Sequence, residues 1–170
     1  SLVREILSRD EIKQVYECCS NNLERSIIAL AYGCGLRRSE LASLEDFQIM
    51  YSKGILTVEK TKNNKTRTLP ISDFFLTVLK AYSVERLNLQ KKTGTRDAYF
   101  FLKPNGEKYT GAALNKMLKK VIERTEDQEI IDKKITLHCL RHSIATHLLD
   151  AGQTYDYVRN FLGHSFVDTS

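Results

Sequence analysis

The sequence is poor in several features that would narrow its class. Its four cysteines, Cys18, Cys19, Cys34 and Cys139, form no CxxC pair. They offer neither a disulfide framework nor a zinc-ribbon ligand set, and a reduced, cytosolic setting is expected. No apolar run approaches the ~18 residues of a membrane-spanning helix, and no signal peptide is present, so neither a span nor secretion is expected. There is no internal repeat and no low-complexity segment. Gly33-Cys34-Gly35 is not followed by the GK[ST] of a P-loop, no HExxH occurs, and no nucleophile elbow marks a hydrolase.

What remains is a globular composition. Of 170 residues, 42% are hydrophobic and 28% charged, enough for one domain with a real core, or two small ones at most. The net charge of +5 and pI near 9.0 permit a nucleic-acid partner without requiring one.

Periodicity predicts mostly helix with one small sheet. Ser8 caps a helix over 9–19, with acids in its first turn. After a break at 20–22, Leu23, Ile27, Leu30 and Cys34 recur at helical spacing, predicting a helix over 23–33 that ends at Gly33 and Gly35. LRRSELASL is a short helix with Leu36, Leu41 and Leu44 turned inward. β-branched residues and two polar turns then predict an antiparallel sheet of three strands, roughly 47–50, 55–60 and 66–70. A helix from 72 to about 89 follows. KKTGTRD is read as a loop and AYFFLKPNGEKY as a link. Thr110 caps a helix whose Leu114, Met117, Leu118, Val121 and Ile122 face inward. TEDQEIIDKK is read as a surface loop, and helices over 137–150 and about 154–162 complete the chain. The fold class is α+β, mainly helical, with a small three-stranded antiparallel sheet.

The chemistry concentrates in TLHCLRHSIATHLLD. His138 and Arg141 stand three apart in the first turn of a helix, so they share a face. Thr136 is a candidate cap, and the helix N-terminus favours an anion. Together they read as a phosphate clamp. Arg37, with Glu40 three residues on, is either a surface arginine beside a glutamate or an anion-binding one. The hairpin carries Lys53, Lys60, Lys62, Lys65 and Arg67 against Glu59. That pattern suits either a solvated turn or a surface that follows a phosphate backbone. His138 and His142 have zinc-compatible spacing, but Arg141 shares the face and would repel a cation. No metal or other cofactor is expected. His142 and His147 read as packed histidines, and a lone His164 as structural.

Four boxes in order, AYGCGLRRSELASL, TKNNKTRTLPI, TLHCLRHSIATHLLDAG and YVRNFLGHS, resemble the catalytic domain of the tyrosine recombinases, the phage integrase family. The resemblance covers nearly the whole chain. It implies one catalytic domain over residues 1–170, with the family's N-terminal core-binding domain and C-terminal tail missing. It assigns Arg37 and Arg141 to the phosphate oxygens and Glu40 to their support. Lys62 becomes the general acid (Lys65 is the rival, but alignment on TLPI places Lys62). His138 assists deprotonation of the nucleophile and His164 hydrogen-bonds the phosphate. The implied reaction is site-specific recombination or integration of double-stranded DNA through a 3′-phosphotyrosine, without metal. The family's tyrosine falls a few residues past Ser170, so the chain as given is expected to bind DNA without cleaving it. Tyr155 and Tyr157 match no nucleophile position. The resemblance also places Lys60, Lys65 and Arg67, with Thr110, Asn115, Lys116 and Lys119, against DNA. Further recombinase subunits, forming a tetramer on DNA, and a bacterial or phage-encoded cytoplasmic protein are implied too. Two readings compete with it: a non-catalytic DNA-binding module on the same scaffold, and a type IB topoisomerase.

Overall fold

The computed structural model describes residues 5–59 and 66–163, so the expectations for Lys60, Lys62, Lys65 and His164 fall outside the described residues. Helix α1 (Arg9–Glu17) leads to α2 (Asn22–Ile28), which runs into a π-turn (Ala29–Gly33) and then the short α3 (Arg38–Ser43). Strands β1 (Ile49–Met50), β2 (Ile55–Glu59) and β3 (Thr66–Pro70) follow, then α4 (Asp73–Thr93), α5 (Gly111–Glu123), α6 (Gln128–Ile131), α7 (Leu137–Asp150) and α8 (Tyr155–Leu162).

Local chemistry explains the ends of these elements. Ser8 and Glu11 form a reciprocal capping box at the start of α1, and the amides of Cys18 and Cys19 fold back three residues to Val15 and Tyr16, closing the helix at Glu17. The expected helix 23–33 is instead two pieces. Its last turn widens into the π-turn, a local loosening of the α-ladder that tends to occur beside functional sites.

The sheet has the expected antiparallel order β1-β2-β3. Leu56 pairs with Leu69 and Val58 with Arg67. Because side chains alternate across a strand, Leu56, Val58, Leu69 and Arg67 share one face. Leu56, Val58 and Leu69 are buried. Arg67 therefore sits on the inward face.

Three segments differ from the sequence expectation. Helix α4 continues to Thr93 and ends at Gly94, whose φ is +71°, so KKTGTRD begins inside the helix. Its polar last turns are held from the side: buried Arg86 donates to the carbonyls of Tyr99 (2.7 Å) and Asp97 (3.0 Å), and Gln90 donates to that of Asp97. The stretch expected as a link is core. Phe100, Phe101 and Leu102 are buried, the Phe100 amide donates to the Leu44 carbonyl at 2.7 Å, and both phenyl rings pack on Tyr82. TEDQEIIDKK contains α6, capped by Asp127, and inserts a fully buried Ile130.

The packing converges on the turn after α2. The π-turn lies against α7, α3 against α5, α7 against α8, and α8 against β3. Four elements distant in sequence thus border the segment that carries Arg37.

Candidate active site

Arg37 occupies the N-cap position of α3 with an extended backbone. Its amide donates to Glu40 Oε1 (2.9 Å), and its guanidinium lies 3.6 Å from Glu40 Oε2. Glu40 thus fixes the start of α3 as well as facing the arginine's charge. Arg37 also donates through Nη2 to the Gly163 carbonyl at the end of α8 (3.4 Å).

Arg141 reaches the same region from α7. It is 3% exposed, and its Nη1 donates to the Gly35 carbonyl at 2.7 Å. Gly35 lies two residues before Arg37, so one short turn links the two arginines. Burying a guanidinium is unfavourable unless charge and hydrogen bonds are matched around it. That cost is usually retained where the fork has a task. His138 precedes Arg141 by one turn on α7 and is half-buried, consistent with the shared face expected for the pair.

The N-terminus of α7 is capped differently from expectation. Thr136 has the extended N-cap backbone but makes no side-chain cap bond. Its hydroxyl lies 3.4 Å from the Cys139 sulfur. The Leu137 amide donates instead to Asn115 Oδ1 on α5 (2.9 Å). Asn115, expected at a DNA surface, thereby fixes the helix that presents His138 and Arg141. A cap supplied from a residue 22 positions away leaves no local sequence signature, which is why Thr136 is the natural choice from sequence.

Arg67 corrects a second expectation. Expected with Lys60 and Lys65 among the phosphate contacts, it has a side chain that is 10% exposed and turned inward by strand alternation. Nη1 and Nη2 grip Glu40 as a two-point fork, at 2.8 and 3.0 Å. Nε donates to the Phe161 carbonyl near the end of α8, at 3.1 Å. Burial by itself raises the Glu40 carboxyl, but the Arg67 fork and charge, with the Arg37 amide and charge, hold it below the usual carboxylate range. The parity of Arg67 with Leu69 was the available signal; the run of basic residues around it pointed the other way.

His147 belongs to the packing, as its sequence context implied. It is 6% exposed, and its Nδ1 is 2.7 Å from the Tyr32 hydroxyl of the π-turn. Arg9 donates to its backbone carbonyl, while the Leu7 amide donates to Ser143 one turn earlier. The segment before α1 is thereby fastened to the middle of α7. Burial, then the nearby Arg9 charge, push the imidazole below its ordinary value, against smaller opposing effects of a Leu7 backbone bond and Asp150. A depressed histidine binds its proton more readily in the unfolded chain, so its neutral form stabilises the fold above the unfolded value and that contribution is lost as pH falls. The thermal midpoint should therefore fall between about pH 7.5 and about pH 5.5. His147→Gln should lower the midpoint at the upper pH and flatten this slope. A slope unaltered by the substitution, measured by calorimetry, would contradict the assignment.

Beside the clamp, α5 and residues 131–136 enclose an open groove of about 930 Å³. Lys116, Lys119, Lys120 and Lys134 line it over Ile122 and Ile135. Lys116 and Lys119 are exposed, as a phosphate-facing role requires. Thr110 caps α5 through the Ala113 amide. The structure thus brings together Arg37, Glu40 and Arg141, adds Arg67, and sets Lys116 and Lys119 on a flank whose Asn115 holds α7. It places the chain entering and leaving residues 60–65 at the paired Glu59 and Thr66.

Comparison with known proteins places the fold and the family. The model of the Phage integrase family matches residues 5–170. Tyrosine recombinase XerA of Pyrococcus furiosus is 34% identical over 169 residues, covering 96% of this chain and 54% of the relative. The chain thus spans about half the length of this curated relative. A crystal structure of XerA recombinase superposes with a TM-score of 0.85 at 25% identity, over 97% of this chain and 58% of that one. The Tn1549 transposon integrase, solved with a circular intermediate DNA, shares the fold at a TM-score of 0.83 and 19% identity, over 97% and 59% of the two chains.

Proposed function

The chain belongs to the phage integrase family, and on that premise we propose that it is the catalytic domain of a site-specific recombinase that breaks and rejoins double-stranded DNA through a 3′-phosphotyrosine. The observation that supports this most is the convergence of Arg37 and Arg141 on one turn, the first through α3 and the second through the Gly35 carbonyl. Phosphoryl transfer builds charge on the non-bridging oxygens, and two fixed guanidiniums can hold those oxygens in the transition state. Glu40 keeps Arg37 in place without cancelling the cluster, since its carboxylate is shared with Arg67.

The remaining roles are part of the same proposal. Lys62, between β2 and β3 in sequence, protonates the departing 5′ oxygen. His138 assists removal of the phenolic proton, and His164, next after Gly163, hydrogen-bonds the phosphate. The attacking phenol belongs to a tyrosine outside these 170 residues. Lys116 and Lys119 contact backbone phosphates along the groove, with Lys60 and Lys65 on the hairpin side. DNA is the partner, as it is for the Tn1549 integrase of the same fold, and further subunits assemble on it. Among the described residues no helix is long and apolar enough to cross a membrane.

The test is a nicked suicide substrate incubated with the full-length protein that carries this chain. A covalent protein–DNA adduct is expected, with the phosphotyrosine mapping by mass spectrometry outside residues 1–170. Tight DNA binding without an adduct would replace the proposal by a non-catalytic binding module. Relaxation of any plasmid irrespective of sequence would favour a topoisomerase.

A further inference from the structure

Arg67 has no role in the chemistry above, yet its side chain makes three hydrogen bonds to two other elements of the site. It stands on the inward face of β3, one residue from the strand's start at Thr66. Three of its five N–H donors are engaged on two elements: two bonds to Glu40 on α3 and one to the Phe161 carbonyl on α8. A cation at that carbonyl also opposes the negative end of α8. The contact is close on the other side too. A Cβ at Gly163, whose φ is +67°, would lie 2.8 Å from Arg67 Nη1 and 2.9 Å from its Cδ. Gly163 allows the chain to reverse against the guanidinium, and its carbonyl then receives Arg37.

From this geometry we infer that Arg67 is a positioning residue. It registers the start of β3, the Arg37–Glu40 turn and the end of α8 against one another, so that Arg37 is held in a fixed place between the two segments. The inference rests on the recombinase reading for its consequence in catalysis, but the coupling itself is a property of the fold. Only a planar fork with three donors on two sides makes all these bonds. A lysine retains the charge and loses the geometry. Because its charge is paired with Glu40 and its side chain is 10% exposed, Arg67 is not placed as a phosphate contact, contrary to what its place in a basic hairpin suggests.

The test compares Arg67→Lys, Arg67→Gln and Glu40→Gln with the wild type in the full-length protein. Three quantities are read: the single-turnover rate of adduct formation at saturating DNA, the salt dependence of DNA affinity, and amide hydrogen exchange in peptides covering 36–41 and 158–163. Arg67→Lys should slow adduct formation by at least about tenfold. Its affinity should stay within about threefold of the wild type and the salt slope unchanged, since a lost phosphate contact would reduce that slope by about one. Exchange should rise in both peptides together, and Glu40→Gln should produce the same paired rise. Should Arg67→Gln fail to fold, the lysine and Glu40 variants carry the test. A reduced salt slope with an unaltered saturated rate would make Arg67 a phosphate contact and overturn the inference. So would a lowered melting temperature with wild-type rate and unaltered exchange at 36–41 and 158–163, which would mark an ordinary structural residue. A wild type that forms no adduct would sink the recombinase reading alone, and the paired exchange would still decide for or against Arg67.

Discussion

An Arg141→Lys protein should form the covalent DNA adduct about 10²- to 10³-fold more slowly than the wild type at saturating substrate. Two properties of the site set this magnitude. First, the guanidinium is 3% exposed, where water screens it little and its effect on a developing oxyanion is large. Second, it donates to Gly35 at 2.7 Å, which fixes the plane of the fork. A planar guanidinium held at the turn by this bond is set to face a phosphate from the same plane. An ammonium keeps the charge but, as a point donor on a flexible stem, must choose between the two. DNA affinity should change much less than rate, because most phosphate contacts lie elsewhere. Arg141→Ala should lose the rate and also stability, since the Gly35 carbonyl is left buried without this donor. Single-turnover kinetics with a suicide substrate, alongside a thermal melt, measures both. An Arg141→Lys rate within threefold of the wild type would show that the clamp does not stabilise the transition state.

What could be read from the sequence follows from where each signal lies. Helix α7 was legible over 137–150 because its apolar period, the Thr136 entry and the Gly152 exit are all local. The sheet was legible because β-branched runs alternate between two polar turns. The Arg37–Glu40 and His138–Arg141 pairs were legible as single-helix spacings. Bonds between distant segments left no such trace. Phe100 and Phe101 occupy a stretch too short to show a period, and only their packing on Tyr82 reveals it as core. Ile130 sits in a polar run, yet it is buried because α6 folds it under. Asn115 as the cap of α7, and Arg67 as the partner of Glu40, join positions 22 and 27 residues apart. For Arg67 the alternation of β3 pointed inward while its charged neighbours pointed outward, and burial of the paired ion decided. The resemblance to a family named candidate residues; it carried no signal for which of the basic ones are buried in ion pairs, as Arg67 is.

Gly35→Ala should be the most damaging small substitution near the site, costing about 2–5 kcal/mol of stability. Gly35 has φ +64°, the left-handed region in which a Cβ costs about 1–2 kcal/mol. The added methyl would also meet Leu162 Cδ2 at 2.9 Å, Phe161 Cε1 at 3.1 Å and Ile144 Cγ2 at 3.4 Å. Those atoms belong to α7 and α8 in a packed interior, where such overlap typically costs about 1–3 kcal/mol. Relief by moving α8 outward would stretch the bonds of Arg67 to Phe161 and of Arg37 to Gly163. Relief by rotating the turn would draw the Gly35 carbonyl off Arg141. Either way the variant that remains folded should be a poor catalyst, with a loss of adduct rate beyond what its melting temperature explains. Gly152 is the natural control. It too has a positive φ, +95°, but a Cβ there meets nothing within 4 Å. Gly152→Ala should therefore show only the backbone cost, with an unaltered rate per folded molecule. If Gly35→Ala and Gly152→Ala behave alike in melting and in adduct formation, the turn is not the pivot through which α7 and α8 align the two arginines.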